Sequence, residues 1–296
     1  MTTTTGHNPA RPAPPRADNR TPVSRRALLA ASMLAIAATM LPDAPSAARA
    51  ADTSATDTSA QTATMLRVLC YNIHHGEGTD GKLDLERTGR VIKHWNPDLV
   101  AVQEVDRGTS RTGRTDQAAL LAGQLGMAYA FGKTIDYRGG DYGILILSKF
   151  PLLRHEMLLL PPPGQREQRG LLVAHIGLPG GKTIRLACTH LSVTSTEERA
   201  VQTAEINKLL SDGGAPVLLA GDFNARPASP PMTALEKRWT DSAAPALKKN
   251  ATPHRPKKID YIFFRKDDPI KVLETRTIPD AVTSDHFPIL SILTVE

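Results

Sequence analysis

The amino-acid sequence predicts one layered α/β domain over residues 65–296. Nine short apolar runs with the composition of β-strands occur in this region, and segments with helical periodicity lie between some of them. No linker-like segment interrupts these 232 residues, a length within the range of one large domain. Many strands with a few intervening helices are typical of sheets that are covered by helices.

The strand-like runs cover residues 66–71, 99–102, 144–147, 157–160, 171–176, 183–188, 217–220, 259–264 and 287–293. The helical patterns cover residues 83–95, 117–125 and 196–210. The first pattern places Leu85, Ile92 and Trp95 on a common side, as an amphipathic helix requires. The last pattern begins with Ser195 or Thr196 ahead of acidic residues, which is typical of a capped helix N-terminus.

The N-terminal segment has the features of an export signal. Arg25 and Arg26 precede an apolar run at 27–41, which is shorter than the roughly 20 residues needed to span a bilayer. Residues 48–50 have the small-x-small pattern of a cleavage site. We expect a twin-arginine signal peptide over 1–50, with export to the periplasm or the exterior; an ordinary secretory signal and an uncleaved signal anchor are the alternatives. Residues 51–64, rich in Thr, Ser, Ala and Asp, are interpreted as a flexible linker.

Positive charge is concentrated in the same N-terminal segment. Six arginines and two acidic residues give residues 1–50 a net charge of +4, out of +6 for the whole chain of 296 residues. The remaining +2 does not indicate a nonspecific nucleic-acid-binding surface on the domain. A hydrophobic content of 41% with 22% charged residues excludes a disordered or collagen-like chain. The two cysteines, Cys70 and Cys188, exclude a disulfide scaffold and are expected to be buried free thiols.

Polar side chains lie at the ends of the predicted strands. They are Asn72, Glu104, His190, Asp222, Asn224, Asp260, Asp285 and His286. Loops at one end of a sheet converge on a shared site, so we expect these side chains to lie close together. Oxygen donors dominate the set, which indicates Mg²⁺ or Mn²⁺ rather than zinc. Such an ion typically binds phosphate oxygens.

Six motifs carry these residues: YNIHHG at 71–76, QEVD at 103–106, THL at 189–191, GDFN at 221–224, DYI at 260–262 and SDHFP at 284–288. In this order they resemble the motifs of the endonuclease/exonuclease/phosphatase superfamily, which includes pancreatic deoxyribonuclease, apurinic endonucleases, neutral sphingomyelinases and inositol polyphosphate phosphatases. The resemblance extends over residues 66–293. It implies a four-layer αββα sandwich, in which two mixed sheets pack face to face between helices, and a metal-dependent phosphoesterase activity.

The resemblance also implies which residues bind the metal. Glu104 is expected to be the direct carboxylate ligand of Mg²⁺ or Mn²⁺. Asn72 is expected beside it as a ligand or a water-mediated partner. Asp285 is expected to add negative charge near the ion.

Catalytic residues follow from the same resemblance. His286 is expected to be the general base that activates the attacking water, with Asp260 orienting its imidazole. Asp222 and Asn224 are expected to orient the nucleophile and to bind phosphoryl oxygens, and His190 to hold a phosphate oxygen or to assist the leaving group. With an ordinary histidine pKa, activity should fall on acidification through roughly pH 6 to 7.

Three further histidines, His74, His75 and His175, are interpreted as packing residues. Arg107, Arg111 and Arg114 form either a phosphate-binding rim or a solvated loop. A second basic run consists of Lys248, Lys249, His254, Arg255, Lys257 and Lys258. This run is suited to a nucleic-acid backbone, although it contains no aromatic residue on which bases stack.

The expected partner is a phosphoester: a nucleic acid, a phospholipid head group or a small phosphate ester. We expect no stable membrane span in the mature chain, and a monomer. The alternative to an enzyme is a non-catalytic binding protein that retains the fold.

Overall fold

The structure, a computed structural model, describes residues 63–161, 167–244 and 258–296. All of them belong to the compact unit Thr58–Glu296. The proposed signal segment 1–50, the linker residues 51–62 and the basic residues 248–257 lie outside the described residues. The first strand begins at Thr64, the last residue assigned to the linker.

The strands are β1 (Thr64–Asn72), β2 (Leu99–Arg107), β3 (Ala128–Tyr137), β4 (Gly140–Ser148), β5 (Leu152–Leu159), β6 (Gly170–Gly177), β7 (Thr183–His190), β8 (Val217–Asp222), β9 (Trp239–Asp241), β10 (Asp260–Arg265), β11 (Ile270–Thr277) and β12 (Ile289–Val295). The helices are α1 (Leu85–Trp95), α2 (Gln117–Leu125), α3 (Thr196–Leu209) and α4 (Pro230–Leu235). All nine predicted strands and all three predicted helices are present; β3, β9, β11 and α4 were not predicted.

Two six-stranded mixed sheets form the centre of the molecule. Sheet I has the order β11-β12-β1-β2-β4-β3, and sheet II has the order β5-β6-β7-β8-β10-β9. In sheet I, β1 and β2 are parallel, and in sheet II, β7 and β8 are parallel. The remaining pairs are antiparallel.

Successive side chains of the central strands point to opposite faces of the sheet, so they pack in different layers. Val68 and Cys70 of β1 pack between the two sheets with residues of sheet II such as Leu186. Leu69 of β1 faces the opposite way, toward Ile92 of α1. A third apolar cluster joins the outer face of sheet II to α3 and α4. The order helix, sheet, sheet, helix confirms the predicted four-layer αββα sandwich.

Side-chain caps fix where the helices begin. Asp84 accepts a hydrogen bond from the Arg87 amide at 2.8 Å before α1, and Ser195 accepts one from the Glu198 amide at 3.1 Å before α3. Ser195, rather than Thr196, is therefore the capping residue of α3. In the described part of the chain, no helix combines the length and apolarity needed to cross a bilayer.

Candidate active site

The two parallel strand pairs bring polar side chains to a common edge. Asn72 ends β1 and Glu104 lies in the neighbouring β2, while His190 ends β7 and Asp222 ends β8. The Asn72 amide Nδ2 donates to Glu104 Oε1 at 3.0 Å and to Asp222 Oδ2 at 3.2 Å. Asn72 therefore connects the carboxylates of the two sheets. Its Oδ1 accepts the His74 amide hydrogen at 3.0 Å, which fixes the orientation of the side-chain amide.

An irregularity in β2 directs Glu104. The pairing of β2 with β4 shifts between Val102 and Val105, and Glu104 has a φ of 61°. A bulge of this kind turns a side chain away from the direction that a regular strand would give it. The preceding Gln103 stays buried between the sheets, whereas Glu104 is partly exposed.

Asp222 is the most enclosed carboxylate of the site, with 1% of the residue exposed. Its Oδ1 accepts the Asn224 amide hydrogen at 2.8 Å. Its Oδ2 lies 3.5 Å from His190 Nε2 and 3.6 Å from His286 Nε2. Burial, together with the charge of Asp260, raises the pKa of Asp222 to about 7. The side chain of Asn224 donates to the Leu191 carbonyl at 3.0 Å, which holds the turn after β8.

His286 and Asp260 form a hydrogen-bonded pair. Asp260 begins β10, where it pairs in register with Asp222, and its Oδ2 lies 2.9 Å from His286 Nδ1. A carboxylate accepts, so Nδ1 carries the hydrogen and Nε2 faces Asp222. Burial alone would lower the pKa of His286, but the Asp260 hydrogen bond and the surrounding carboxylates outweigh it and raise this pKa to about 9. Ser284 Oγ accepts the His286 amide hydrogen at 3.1 Å and donates to the Asn72 carbonyl at 2.8 Å.

His190 has a different charge state from His286. Burial, followed by the positive charges of Arg169 and His286, lowers the pKa of His190 well below its ordinary value, so this imidazole is neutral. Arg169 was missed by sequence reasoning. Only 4% of this residue is exposed, its Nη2 donates to Glu167 Oε2 at 3.2 Å, and its buried Nε has no hydrogen-bond partner. Arg169 lies just before β6, the strand that pairs with β7, which ends at His190. Its burial can therefore be recognised only when the strand pairing is known.

Two groups of side chains in the described ranges have ligand atoms close enough to hold a metal ion. The acid–histidine cluster consists of Asp222, Asp260 and His286, and the histidine–glutamate cluster consists of His74, His75 and Glu104. Within each cluster the ligand atoms lie within 4.8 Å of one another. The carboxylates of both clusters are suitable donors for the Mg²⁺ or Mn²⁺ that the sequence predicts, whereas the imidazoles suit transition-metal ions. Asp285 is exposed and belongs to neither cluster; it accepts from Ser284 Oγ at 3.4 Å.

The three arginines of the predicted phosphate rim differ in environment. Arg107 forms an ion pair with Asp141, with Nη2 2.5 Å from Oδ2. Arg111 binds buried Asp106 through two hydrogen bonds of 2.7 and 2.9 Å. Arg114 is exposed. Arg107 and Arg111 are thus charge-balanced within the chain.

A cavity of about 140 Å³ lies beside the site and is lined by Arg111, Ile135, Tyr137, Tyr142 and Glu167. The guanidinium of Arg111 lies 4.7 Å from the ring centre of Tyr137 and 5.5 Å from that of Tyr142. Glu167 connects the cavity to Arg169. Aromatic faces combined with charged groups are suited to a polar ring.

Comparisons with known proteins identify the relatives of this chain. The uncharacterized protein YbhP of Escherichia coli K12 is 30% identical over 169 residues, which are 53% of this chain and 66% of YbhP, just under two thirds of that relative. An endonuclease/exonuclease/phosphatase structure from Beutenbergia cavernae has a TM-score of 0.64 at 24% identity, over 78% of this chain and 72% of that one. A mannosyl-6-phosphatase from Bacteroides thetaiotaomicron has a TM-score of 0.59 at 19% identity, over 77% and 98% of the two chains. At these identities the two structural matches show the shared fold.

The family match covers most of the domain and includes all eight polar residues at the strand ends. Residues 69–286 match the endonuclease/exonuclease/phosphatase family. Members of this family are hydrolases that act on phosphoester bonds. The chain therefore belongs to the endonuclease/exonuclease/phosphatase family.

Proposed function

We propose that this chain is an exported, monomeric, divalent-metal-dependent phosphoesterase in which His286 activates the attacking water. The observation that carries the proposal is the acid–histidine cluster, in which His286 Nδ1 lies 2.9 Å from Asp260 and Nε2 lies 3.6 Å from Asp222. Asn72 connects this cluster to Glu104. A general base, a carboxylate that orients it and a metal-binding carboxylate are thereby combined in one site.

The mechanism follows from the position of Nε2. His286 Nε2 faces Asp222 Oδ2 at 3.6 Å, and the attacking water is proposed to lie beside both atoms, hydrogen-bonded to Nε2. Once it has lost its own proton, His286 accepts a proton from this water as the water oxygen forms a bond to phosphorus. The bond to the ester oxygen breaks at the same time, and the leaving ester oxygen is protonated by solvent. Asp260 stabilises the imidazolium that forms. Asn224 and neutral His190 are proposed to donate hydrogen bonds to phosphoryl oxygens. A divalent cation bound at Glu104 would add positive charge where the phosphoryl oxygens become more negative.

The substrate that fits best is a small phosphate ester with a polar ring. Arg107 and Arg111 are neutralised by aspartates, so the rim lacks the surplus charge that tracks a nucleic-acid backbone. Buried Arg169, with an unpartnered Nε, is suited to one phosphate group, and the adjacent cavity of about 140 Å³ is suited to one ring. The structurally similar mannosyl-6-phosphatase supports this class. The basic run 248–258 is the feature that favours a nuclease instead.

The test is hydrolysis by residues 51–296 with and without Mg²⁺ or Mn²⁺. Bis-p-nitrophenyl phosphate reports general phosphodiesterase activity, and a panel of sugar phosphates, plasmid DNA, RNA, sphingomyelin and phosphoinositides identifies the class. We expect metal-dependent hydrolysis that is fastest with sugar phosphates. Fastest cleavage of DNA or RNA would make the chain a nuclease, and no hydrolysis of any substrate would favour a binding protein that retains the fold.

Export is tested separately. Arg25 and Arg26 precede the apolar run of the proposed twin-arginine signal. Replacing both with lysine should leave full-length precursor in the cytoplasm. Normal export of that variant would assign the chain to the general secretory route. Light scattering of the exported form tests the proposed monomer.

A further inference from the structure

His74 and His75 have an unusual backbone for their residue type. They follow β1 in a short 3₁₀ turn, with φ angles of 46° and 45°. Glu104, the third member of the histidine–glutamate cluster, has a φ of 61°. Left-handed backbone is costly for residues other than glycine, and it persists where the surrounding structure holds it in place, commonly at functional sites. Three such residues in one cluster indicate that the cluster has a function beyond packing.

Hydrogen bonds to Glu77 determine which ring nitrogens of the two histidines are free. His74 Nδ1 lies 3.1 Å from the Glu77 carbonyl oxygen, and His75 Nε2 lies 3.3 Å from Glu77 Oε2. Both oxygens only accept, so each of these nitrogens carries the hydrogen. The lone pairs are therefore on His74 Nε2 and His75 Nδ1. A histidine that donates from one nitrogen to a carbonyl or carboxylate, and offers the other, has the arrangement typical of metal-binding histidines.

His75 Nδ1 has no compensating contact. The residue is 8% exposed, and this nitrogen is buried without a hydrogen-bond partner. A buried polar atom of this kind costs free energy unless a ligand bonds to it. One ring nitrogen of each histidine and one carboxylate oxygen of Glu104 lie within 4.8 Å of one another, and the centroids of the two edge-to-face imidazole rings are 4.6 Å apart. The three side chains are thus close enough to share one ion.

Neighbouring groups hold the cluster and limit repulsion. Gln117 Nε2 donates to the His75 carbonyl at 2.7 Å, and Asn72 Oδ1 accepts the His74 amide hydrogen at 3.0 Å. Arg111 is the cation whose charge acts most strongly on His75, and it is neutralised by buried Asp106, to which it donates two hydrogen bonds. The charge of Arg111 is therefore balanced by Asp106 and repels a bound cation little.

We propose that His74 Nε2, His75 Nδ1 and the Glu104 carboxylate bind a divalent first-row transition-metal ion such as Zn²⁺. Two imidazole nitrogens and one carboxylate form a donor set that zinc favours, whereas Mg²⁺ favours oxygen donors alone. The site is distinct from the acid–histidine cluster and shares Asn72 with it. It shares Glu104 with the proposed catalytic metal, but zinc binding requires no phosphoester and is measured without hydrolysis.

The experiment measures Zn²⁺ and Mg²⁺ binding by calorimetry in residues 51–296 carrying His286→Ala. This background removes the imidazole of the acid–histidine cluster, so zinc bound there does not mask the result. His74→Asn and His75→Asn remove an imidazole each, and asparagine tolerates the left-handed backbone. His94→Asn, at an exposed position of α1, is the matched control. The visible spectrum of bound Co²⁺ reports on nitrogen ligation directly.

We expect each of the two substitutions to weaken zinc binding at least about tenfold, to reduce the Co²⁺ bands, and to leave magnesium affinity within about twofold. The control should bind zinc as the background does. Unchanged zinc affinity in both variants overturns the proposal, and so does an equal loss of zinc and magnesium, which would indicate only a displaced Glu104. Thermal melts in EDTA establish folding; if His75→Asn does not fold, the less buried His74→Asn decides.

Discussion

The acid–histidine cluster and the histidine–glutamate cluster lie on either side of Asn72, yet they are built differently. Asp222 and Asp260 are register partners at the ends of regular strands, and His286 is held to Asp260 by a 2.9 Å hydrogen bond. The histidine–glutamate cluster instead depends on a bulge and on three positive φ angles. Regular strand ends place one set of groups, and local strain places the other.

The acid–histidine cluster depends on buried charge, and the histidine–glutamate cluster depends on backbone strain. In the acid–histidine cluster, burial and the charge of Asp260 raise the pKa of Asp222 to about 7, and the Asp260 hydrogen bond with the neighbouring carboxylates raises that of His286 to about 9, so the cluster is built to hold and move a proton. The histidine–glutamate cluster presents lone pairs in a fixed arrangement, which suits a ligand that stays bound.

Loss of the proposed base should have the largest effect. His286→Ala and Asp260→Ala should each lower kcat by about 10² to 10⁴, and the double variant should fall to a similar rate, since the two residues act as a unit. Steady-state kinetics measures this. If the double variant instead loses the product of the two single effects, the residues act separately and the assigned pair is wrong.

Glu104→Gln should affect metal binding more than proton transfer. The substitution keeps the shape of the side chain and removes its charge, so the fold should remain while affinity for Mg²⁺ or Mn²⁺ falls by about 10- to 100-fold. Calorimetric titration gives the affinity, and a thermal melt checks the fold. Unchanged metal affinity and activity would remove Glu104 from the site.

Asp260 should control the titration of His286 in the metal-free protein. NMR of the imidazole should give a pKa near 9, above the ordinary value of 6.5, and Asp260→Asn should lower it. Because the folded-state pKa is raised, the stabilisation from protonated His286 is complete below about pH 6.5 and is lost as the pH rises through about 9. The free energy of unfolding should fall over this window by at most roughly 3 kcal/mol, and His286→Ala should abolish that fall.

A measured pKa of His286 at or below 6.5 would contradict its pairing with Asp260. The raised pKa of His286 also changes the expected pH dependence of activity. Without metal, the loss of activity on acidification should occur above the pH 6 to 7 that an ordinary histidine gives. A bound cation near the cluster would lower the midpoint again by repulsion.

Ser284→Ala should have the smallest effect. Its hydroxyl bonds to the Asn72 carbonyl and the His286 amide, so it connects the loop before β12 to β1. Losing these buried bonds should cost about 1 to 2 kcal/mol in the free energy of unfolding. Urea denaturation measures the cost, and Ser211→Ala at an exposed helix end is the control. Equal effects of both substitutions would show that the Ser284 bonds add nothing.

The central strands could be predicted from the sequence, and the edge strands could not. The missed strands β3, β9 and β11 are all at sheet edges, and the fourth edge strand, β5, was predicted only over its last residues. An edge strand is solvated on one side, so it can carry Lys, Glu and Arg, as β11 does, and it lacks the apolar run that marks a buried strand.

The candidate site shows the same limit. Asp222, Asp260 and His286 follow or precede apolar strands, so their convergence could be predicted from the sequence. The histidine–glutamate cluster was missed because a strand pattern assigns side chains to faces by alternation, and a bulge and left-handed residues break that alternation. Arg169 was missed because its burial depends on pairing between strands that are distant in the chain from the metal motifs.

The side chain of Gln103 lies between the two thiols, with Oε1 3.7 Å from Cys70 Sγ and Nε2 3.2 Å from Cys188 Sγ. Both cysteines are free and buried, as the sequence predicts, and burial raises the pKa of each thiol. They are therefore unreactive while the two sheets remain together. A thiol-specific reagent should label this pair only when the sandwich opens, so the labelling rate measures how often the two sheets separate under native conditions.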